Sequence, residues 1–393
     1  MSRSLVDEFL VNYAARNEKL DKEMNERLAR YRHITREFQN SWVNMLKMQY
    51  IAHRIFKKDG LIKKYLNHSA LRHLDDPERN YLEQQAKHPW RFSFSVITGH
   101  PDENFYAMED VFAGDIFLLY SPGVTEILMK QQAVLLFNLI SYNGACWQSF
   151  GPIGAYQSFQ PDDIFFYATE LHPHKCMESG EDIMADVEEN PVPYMMLLSG
   201  AAYPLIFHKE DQIVHVMAGY NDDSFDTGSL DKHFKVEYAG GVYRITLKRW
   251  GGHPHFSTAY YDEKREVLFI SSMTDRGFNA LVNRLNAYGY NLSGEPDIRV
   301  NISMLNTAEK ILRKKIRLYE YESLFTTEPS GENQENINKI NRLLEIVLPD
   351  INAGRKPDLE ALAKKAGVDI ETAREIVSKV INKINEQREP PDL

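Results

Sequence analysis

Cys146 is one of two cysteines in a chain of 393 residues, within the run Asn143-Gly144-Ala145-Cys146-Trp147-Gln148. A thiol becomes a nucleophile when a neighbouring base or a helix N-terminus lowers its pKa. His208 and His215 lie downstream as candidate bases, with Asp222, Asp223 and Asp231 beyond them as orienting acids. That set would serve a thiol-dependent hydrolase or acyl-transferase. A second set comprises the triplets His172-Pro173-His174 and His253-Pro254-His255, with Cys176 two residues past the first. On an extended chain alternate side chains share a side, so His172, His174 and Cys176 could converge on a metal, zinc by ligand softness. No carboxylate stands at ligand spacing and nothing in the sequence joins the triplets, so no metal is expected. The acidic pairs Asp162-Asp163, Glu181-Asp182 and Asp222-Asp223 carry groups suited to Mg²⁺ or acid–base work. Pro, Gly and Asn beside them predict solvated loops instead. Neither GxxxxGK[ST] nor a strand-coupled GxGxxG occurs, and no cofactor is expected.

Small residues followed by Cys-Trp resemble the nucleophile segment of papain-like proteases and of transglutaminases, over a few residues only. Both families place that cysteine at a helix start. Here the flanking runs Val134–Ser141 and Ala145–Phe150 predict a hairpin turning at Asn143-Gly144. In that register Cys146 sits on a strand opposite Ser141, a buried and inert thiol.

The elements that must position these residues fall into three parts. No Gly precedes Gly60 and no Pro precedes Pro77. Leu5, Phe9, Tyr13, Leu20, Met24, Leu28, Tyr31, Phe38, Trp42, Met45, Ala52 and Phe56 form one apolar stripe at helical spacing. This predicts a long helix, or a helical pair turning near Asn17 or Asn40. The stripe is buried against the protein's own core, or against a partner or second copy in a coiled coil. From Trp90 the period becomes two. Strands are expected at Ile116–Tyr120, Val134–Ser141, Ala145–Phe150, Ile164–Thr169, Leu205–His208, Ile213–Ala218, Phe234–Tyr238, Val242–Lys248, His255–Tyr261 and Glu266–Ser271. Hairpin chemistry between them predicts antiparallel sheet. Helices return with Phe278, Leu281, Val282 and Leu285, and again from Asn306 through Tyr319. Residues 326–334 have linker composition.

Charge is unevenly spread. The whole carries 46 Lys+Arg against 56 Asp+Glu, a net −10. Residues 1–70 are net positive by about six, whereas 100–235 are net negative by about sixteen and contain no Arg. An acidic middle cannot be a general nucleic-acid binder. Few cysteines, no apolar run of membrane-spanning length and a charged N-terminus without a signal-peptide stretch point to the cytoplasm.

In residues 358–384, Leu362, Ala363 and Ala366 share one face, Gly367 makes a sharp turn, and Val368 enters the corner. Ala373, Ile376, Val377 and Val380 form the next helix's inner stripe, and Ile337–Val347 supplies a preceding helix. The segment from about 337 to 385 resembles the helix-turn-helix of bacterial regulators. The resemblance implies a three-helix unit with Thr372, Arg374 and Lys379 as contacts to nucleic acid or another partner. It departs from a DNA reader in placing Glu371 and Glu375 where phosphates would lie, so contact with DNA and contact with protein both stand.

The expected architecture is therefore α+β: a helical arm over 1–86, an antiparallel β-rich domain over 88–325 closed by two helices, a linker at 326–334, and a helix-turn-helix-like unit over 335–389. The function expected is a non-enzymatic, cytoplasmic interaction or regulatory protein that engages a macromolecular partner through the arm or the C-terminal unit. A protein partner is favoured, nucleic acid is disfavoured by the acidic charge, no membrane is involved, and the N-terminal helix offers a route to a homodimer. The alternative is the thiol enzyme using Cys146 with His208 or His215.

Overall fold

The computed structural model describes residues 5–388 except 73, 202, 223, 224, 227, 229, 231, 317–320, 326–330 and 353–354. The fold is α+β, in two compact units, 1–318 and 319–393. Asp223 and Asp231, part of the expected linker, and Tyr319 lie outside the described residues.

The first unit opens with a π-helical turn, Leu5–Val11, followed by helices α1 (Asn12–Glu18), α2 (Leu20–Ala29) and α3 (Asn40–Phe56). Breaks fall at Lys19, which is left-handed at φ 58°, and just before Asn40. The long-helix alternative gives way to a folded-back set. Leu20, Met24, Leu28, Leu46, Tyr50 and Phe56 are buried against their own chain, in a core shared with Phe92, Phe94, Leu135 and Ile311. Trp42 and Met45 stay about 40% exposed. The arm's cations meet the chain's own acidic segment: Lys57 Nζ donates to Glu188 O at 2.8 Å and His53 Nε2 lies 2.7 Å from Glu188 Oε2. After these comes helix α4 (Asp76–Lys87), fixed at its start by an Asp75/Glu78 capping box.

Strands β1 (Arg91–Asp102), β2 (Phe105–Asp110), β3 (Ile116–Tyr120), β4 (Leu135–Tyr142) and β5 (Trp147–Tyr156) close into a barrel in the order β1-β2-β3-β5-β4. The β3–β5 pair is parallel and the other pairs are antiparallel. Helix α5 (Pro122–Leu128) joins β3 to β4. This connectivity is that of an OB-type Greek-key barrel. Met108, Leu119, Leu136 and Ile140 fill the interior, while Phe92, Phe94, Phe137 and Leu139 face the helical layer. Strand β4 is thus covered on both faces, which is why apolar residues fall on both of them and every residue from Leu135 to Ser141 is buried, Asn138 and Ser141 included.

The expected strand at Ile164–Thr169 is instead helix α6 (Pro161–Leu171). Pro161 starts it, a Gln160/Asp163 capping box fixes its first turn, and Ile164, Tyr167 and Ala168 bury one helical face. Helix α7 (Gly180–Glu189) follows, so helices do intervene among the strands. Asp163 and Asp182 are capping residues, not loop groups.

After a helical stretch over Pro191–Met195 and Met196–Gly200 and a small hairpin pairing Phe207–His208 with Asp211–Gln212, where a strand is expected at Leu205–His208, the unit ends in a six-stranded antiparallel sheet. Its strands are β6 (Val214–Asn221), β7 (Phe234–Ala239), β8 (Val242–Leu247), β9 (Thr258–Asp262), β10 (Val267–Ser272) and β11 (Ile298–Asn301), in the order β11-β6-β10-β9-β8-β7. Helix α8 (Asp275–Asn286) packs Phe278, Leu281, Val282 and Leu285 onto it. The second closing helix, expected from Asn306, is α9 (Ile302–Leu312), capped by Asn301, and it joins the core of the N-terminal helices.

The second unit contains α10 (Gly331–Asn352), α11 (Leu359–Ala366) and α12 (Ile370–Arg388) around its own core of Leu343, Val347, Ala363, Ala366, Ala373 and Val377. Among the described residues no helix is long and apolar enough to cross a membrane.

Candidate functional site

Cys146 lies in the loop between β4 and β5, not on a strand opposite Ser141. Ser141 pairs with Gln148 and Tyr142 with Trp147, leaving a four-residue connection. The expected two-residue turn fails because Asn143 folds back: its Oδ1 accepts from Ala145 N and Cys146 N, both at 2.9 Å. The thiol is buried, and Asn143 Nδ2 donates to its sulfur at 3.5 Å. Among the described residues no histidine bonds it. His215 is buried in β6, where its Nε2 sits 2.6 Å from Ser271 Oγ, and burial pushes its pKa down to about 3. His208 packs its ring against His253, centroids 4.7 Å apart. The structure does not bring Cys146, His208 and His215 together.

The histidine triplets do not meet either. His172 Nε2 is 3.3 Å from Asp186 Oδ2, an oxygen that also accepts from Tyr194 OH. Cys176 donates to Glu178 Oε1 instead of turning towards His172. In the second triplet His255 Nδ1 lies 2.6 Å from Thr274 Oγ1 and its ring packs on Trp250. Among the described residues no three His, Cys, Asp or Glu side chains are placed to share a metal ion.

The outer face of β2 and β3, which OB-type barrels use for oligomeric ligands, carries Phe105, Ala107, Glu109, Ile116, Leu118 and Tyr120. Ile116 is 78% exposed. With no cation in this set, the face is apolar with one acid, which is poor chemistry for a phosphate backbone.

In the C-terminal unit α11 and α12 are joined by Gly367-Val368-Asp369. Gly367 takes φ +75°, a conformation that closes the helix end and strains any residue with a Cβ. Asp369 Oδ1 accepts from Thr372 N at 2.8 Å and so caps α12. Arg374 and Lys379 are exposed on α12, and each lies beside a carboxylate: Arg374 is 3.8 Å from Glu360 and Lys379 is 2.6 Å from Glu375.

One cavity gives no signal of its own in the sequence. A pocket of about 710 Å³ opens between the end of β8, the chain entering β7 and one face of α8. Lys232, His233, Lys248, Arg249, Trp250 and Arg284 contribute to its wall. The residues come from three separate segments, so no local spacing marks them. The available clue is that Lys232, Lys248 and Arg249 stand at the end of a strongly acidic stretch. Comparison of the chain with family models, curated proteins and solved structures finds no match.

Proposed function

We propose that the protein is a non-enzymatic interaction protein whose C-terminal three-helix unit engages a macromolecular partner, a protein rather than DNA. The observation that carries this reading is the separate hydrophobic core of that unit, formed without any residue of 1–318. A second compact unit joined through a stretch of linker composition is the arrangement of a tethered binding module. The three-residue Gly367 turn and the capped α12 support the helix-turn-helix resemblance. The charge favours protein. Residues 331–388 hold ten Lys+Arg and ten Asp+Glu, and Arg374 and Lys379 of α12 sit beside carboxylates that would repel phosphate. The N-terminal stripe is spent on the chain's own core, which leaves the C-terminal unit as the better of the two expected contact regions. Both cysteines are unpaired, as suits a reducing cytoplasm.

The test compares full-length protein with its Arg374→Glu/Lys379→Glu form, in capture from the native lysate and in mobility shifts with random duplex DNA. The expected result is a discrete protein captured by the parent and lost from the variant, with no DNA shift. A DNA shift at moderate salt that the charge reversal abolishes would make the unit a DNA reader.

A further inference from the structure

We infer that strand β7 pairs edge to edge with β7 of a second copy of this chain, across a two-fold axis through Val236, to make one continuous antiparallel sheet. This goes beyond the partner reading above and uses none of the same residues.

The six-stranded sheet has two edges, and they are finished differently. On β11, Val300 is buried in the core of the N-terminal helices, and Asn301 N donates to Asp163 Oδ1 at 2.6 Å. The chain itself closes that edge. On β7, all six residues pair with β8 in an unbroken register, from Ala239 opposite Val242 to Phe234 opposite Leu247. Among the described residues nothing pairs with its outer side. The strand has neither a proline nor a bulge, two of the devices that keep a sheet edge from pairing.

The register decides which main-chain groups face outward. His233 O accepts from Lys248 N at 3.1 Å, one step beyond the Phe234–Leu247 pair. Bonded and non-bonded pairs alternate along an antiparallel ladder. Lys235, Glu237 and Ala239 therefore turn their N–H and C=O towards β8, while Phe234, Val236 and Tyr238 turn theirs away. Leu230 O takes Phe234 N at 3.1 Å, which ends the open stretch. An antiparallel copy centred on Val236 meets the rest. Val236 exchanges both bonds with Val236 of the second copy, and each Tyr238 N–H reaches the other copy's Phe234 C=O.

The side chains select the same register. On one face Lys235 falls opposite Glu237 of the second copy, and Glu237 opposite its Lys235. These are non-hydrogen-bonded positions, where side chains stand closest and opposite charges attract. A slip of two residues either way sets Lys235 against Lys235 or Glu237 against Glu237. A slip of one matches outward-facing groups with inward-facing ones. Within one chain Lys235 Nζ already lies 3.1 Å from Glu237 Oε1, and Arg244 bonds the other carboxylate oxygen, so a second copy extends an existing charge ladder. On the other face Tyr238, 57% exposed with its ring against Tyr243, falls opposite Phe234. The strand is thus complementary to itself, as a two-fold interface requires. An unrelated strand has no such built-in match, which makes a second copy the occupant.

Sedimentation of the full chain from about 1 to 200 µM tests this. The parent is expected to show a reversible monomer–dimer equilibrium. Lys235→Glu and Glu237→Lys, each alone, bring like charges face to face and are expected to weaken dimerisation by at least about tenfold. An equimolar mixture of the two variants again sets opposite charges against each other, and is expected to recover the parent's affinity within about threefold. Lys235 is exposed, so Lys235→Glu should fold as the parent does. Should Glu237→Lys, which loses its bond to Arg244, fail to fold, affinity falling in the order parent, Lys235→Gln, Lys235→Glu upholds the inference. It is overturned if the parent stays monomeric throughout the range, if Lys235→Glu dimerises as tightly as the parent, or if the mixture of folded variants does not recover.

Discussion

Gln49 Nε2 donates to Phe150 O and to Pro152 O, both at 2.8 Å, so that one amide of α3 replaces two ladder partners of β5 where the β4–β5 register shifts. Gly151, between those carbonyls, lies so close that an added Cβ would meet Gln49 Cβ at 2.9 Å, and its φ is +76°. Gln49→Ala strands two carbonyls at a buried contact and is expected to cost about 2–3 kcal/mol. Gly151→Ala should cost about 1–3 kcal/mol through backbone strain. Denaturant midpoints of the single and double variants test both, and purely additive losses would deny the coupling.

Two buried groups give stability opposite pH dependences. Burial lowers the pKa of His215 to about 3, below its ordinary 6.5. Its contribution is complete above pH 6.5 and is lost as pH falls towards 3, a drop on the order of 4 kcal/mol. Burial raises the pKa of Asp163 to about 7, outweighing the backbone N–H groups of Gln160 and Asn301 that bond its carboxylate. Its contribution is complete below its unfolded pKa and fades as pH rises through 7. His215→Gln should flatten the acid limb and Asp163→Asn the limb above pH 4, in urea midpoints from pH 4 to 8. If His215→Gln leaves the acid limb unchanged, the imidazole already titrates normally in the fold.

The thiols should differ in reactivity. Cys176 is exposed, with its pKa raised by its hydrogen bond to Glu178, while Cys146 is buried. An alkylating reagent should modify one thiol in the native protein, faster as pH rises past 9, and the second only on unfolding. Rapid native labelling of Cys146 at neutral pH would reopen the thiol-enzyme reading.

Truncation after Phe325 should leave the larger unit folded, with one cooperative melting transition at an unchanged midpoint. Scanning calorimetry decides it, and a broadened transition would show that the C-terminal unit supports the rest.

Local patterns were legible where one face alone decided the outcome. Strand β3 falls on its expected residues, and α8 buries the four positions its spacing indicated. The run Ile164-Phe165-Phe166-Tyr167 misleads because aromatic and β-branched residues favour strands, while Pro161 and the Gln160/Asp163 box commit it to a helix. Barrel closure depends on the β1–β4 and β3–β5 pairings, which no hairpin signal announces. Cys146 was correctly expected to be buried and wrongly placed by register, since a single asparagine side chain lengthened its turn. The basic pocket gathers residues over fifty positions apart, so proximity alone, not spacing, defines it.

Leu5 and Ile311 belong to one core. The core that starts at Leu5 is therefore complete only after some three hundred further residues have left the ribosome. The larger unit thus closes its core late in translation, whereas the C-terminal helices, whose core lies between Leu343 and Val377, can assemble as soon as they emerge.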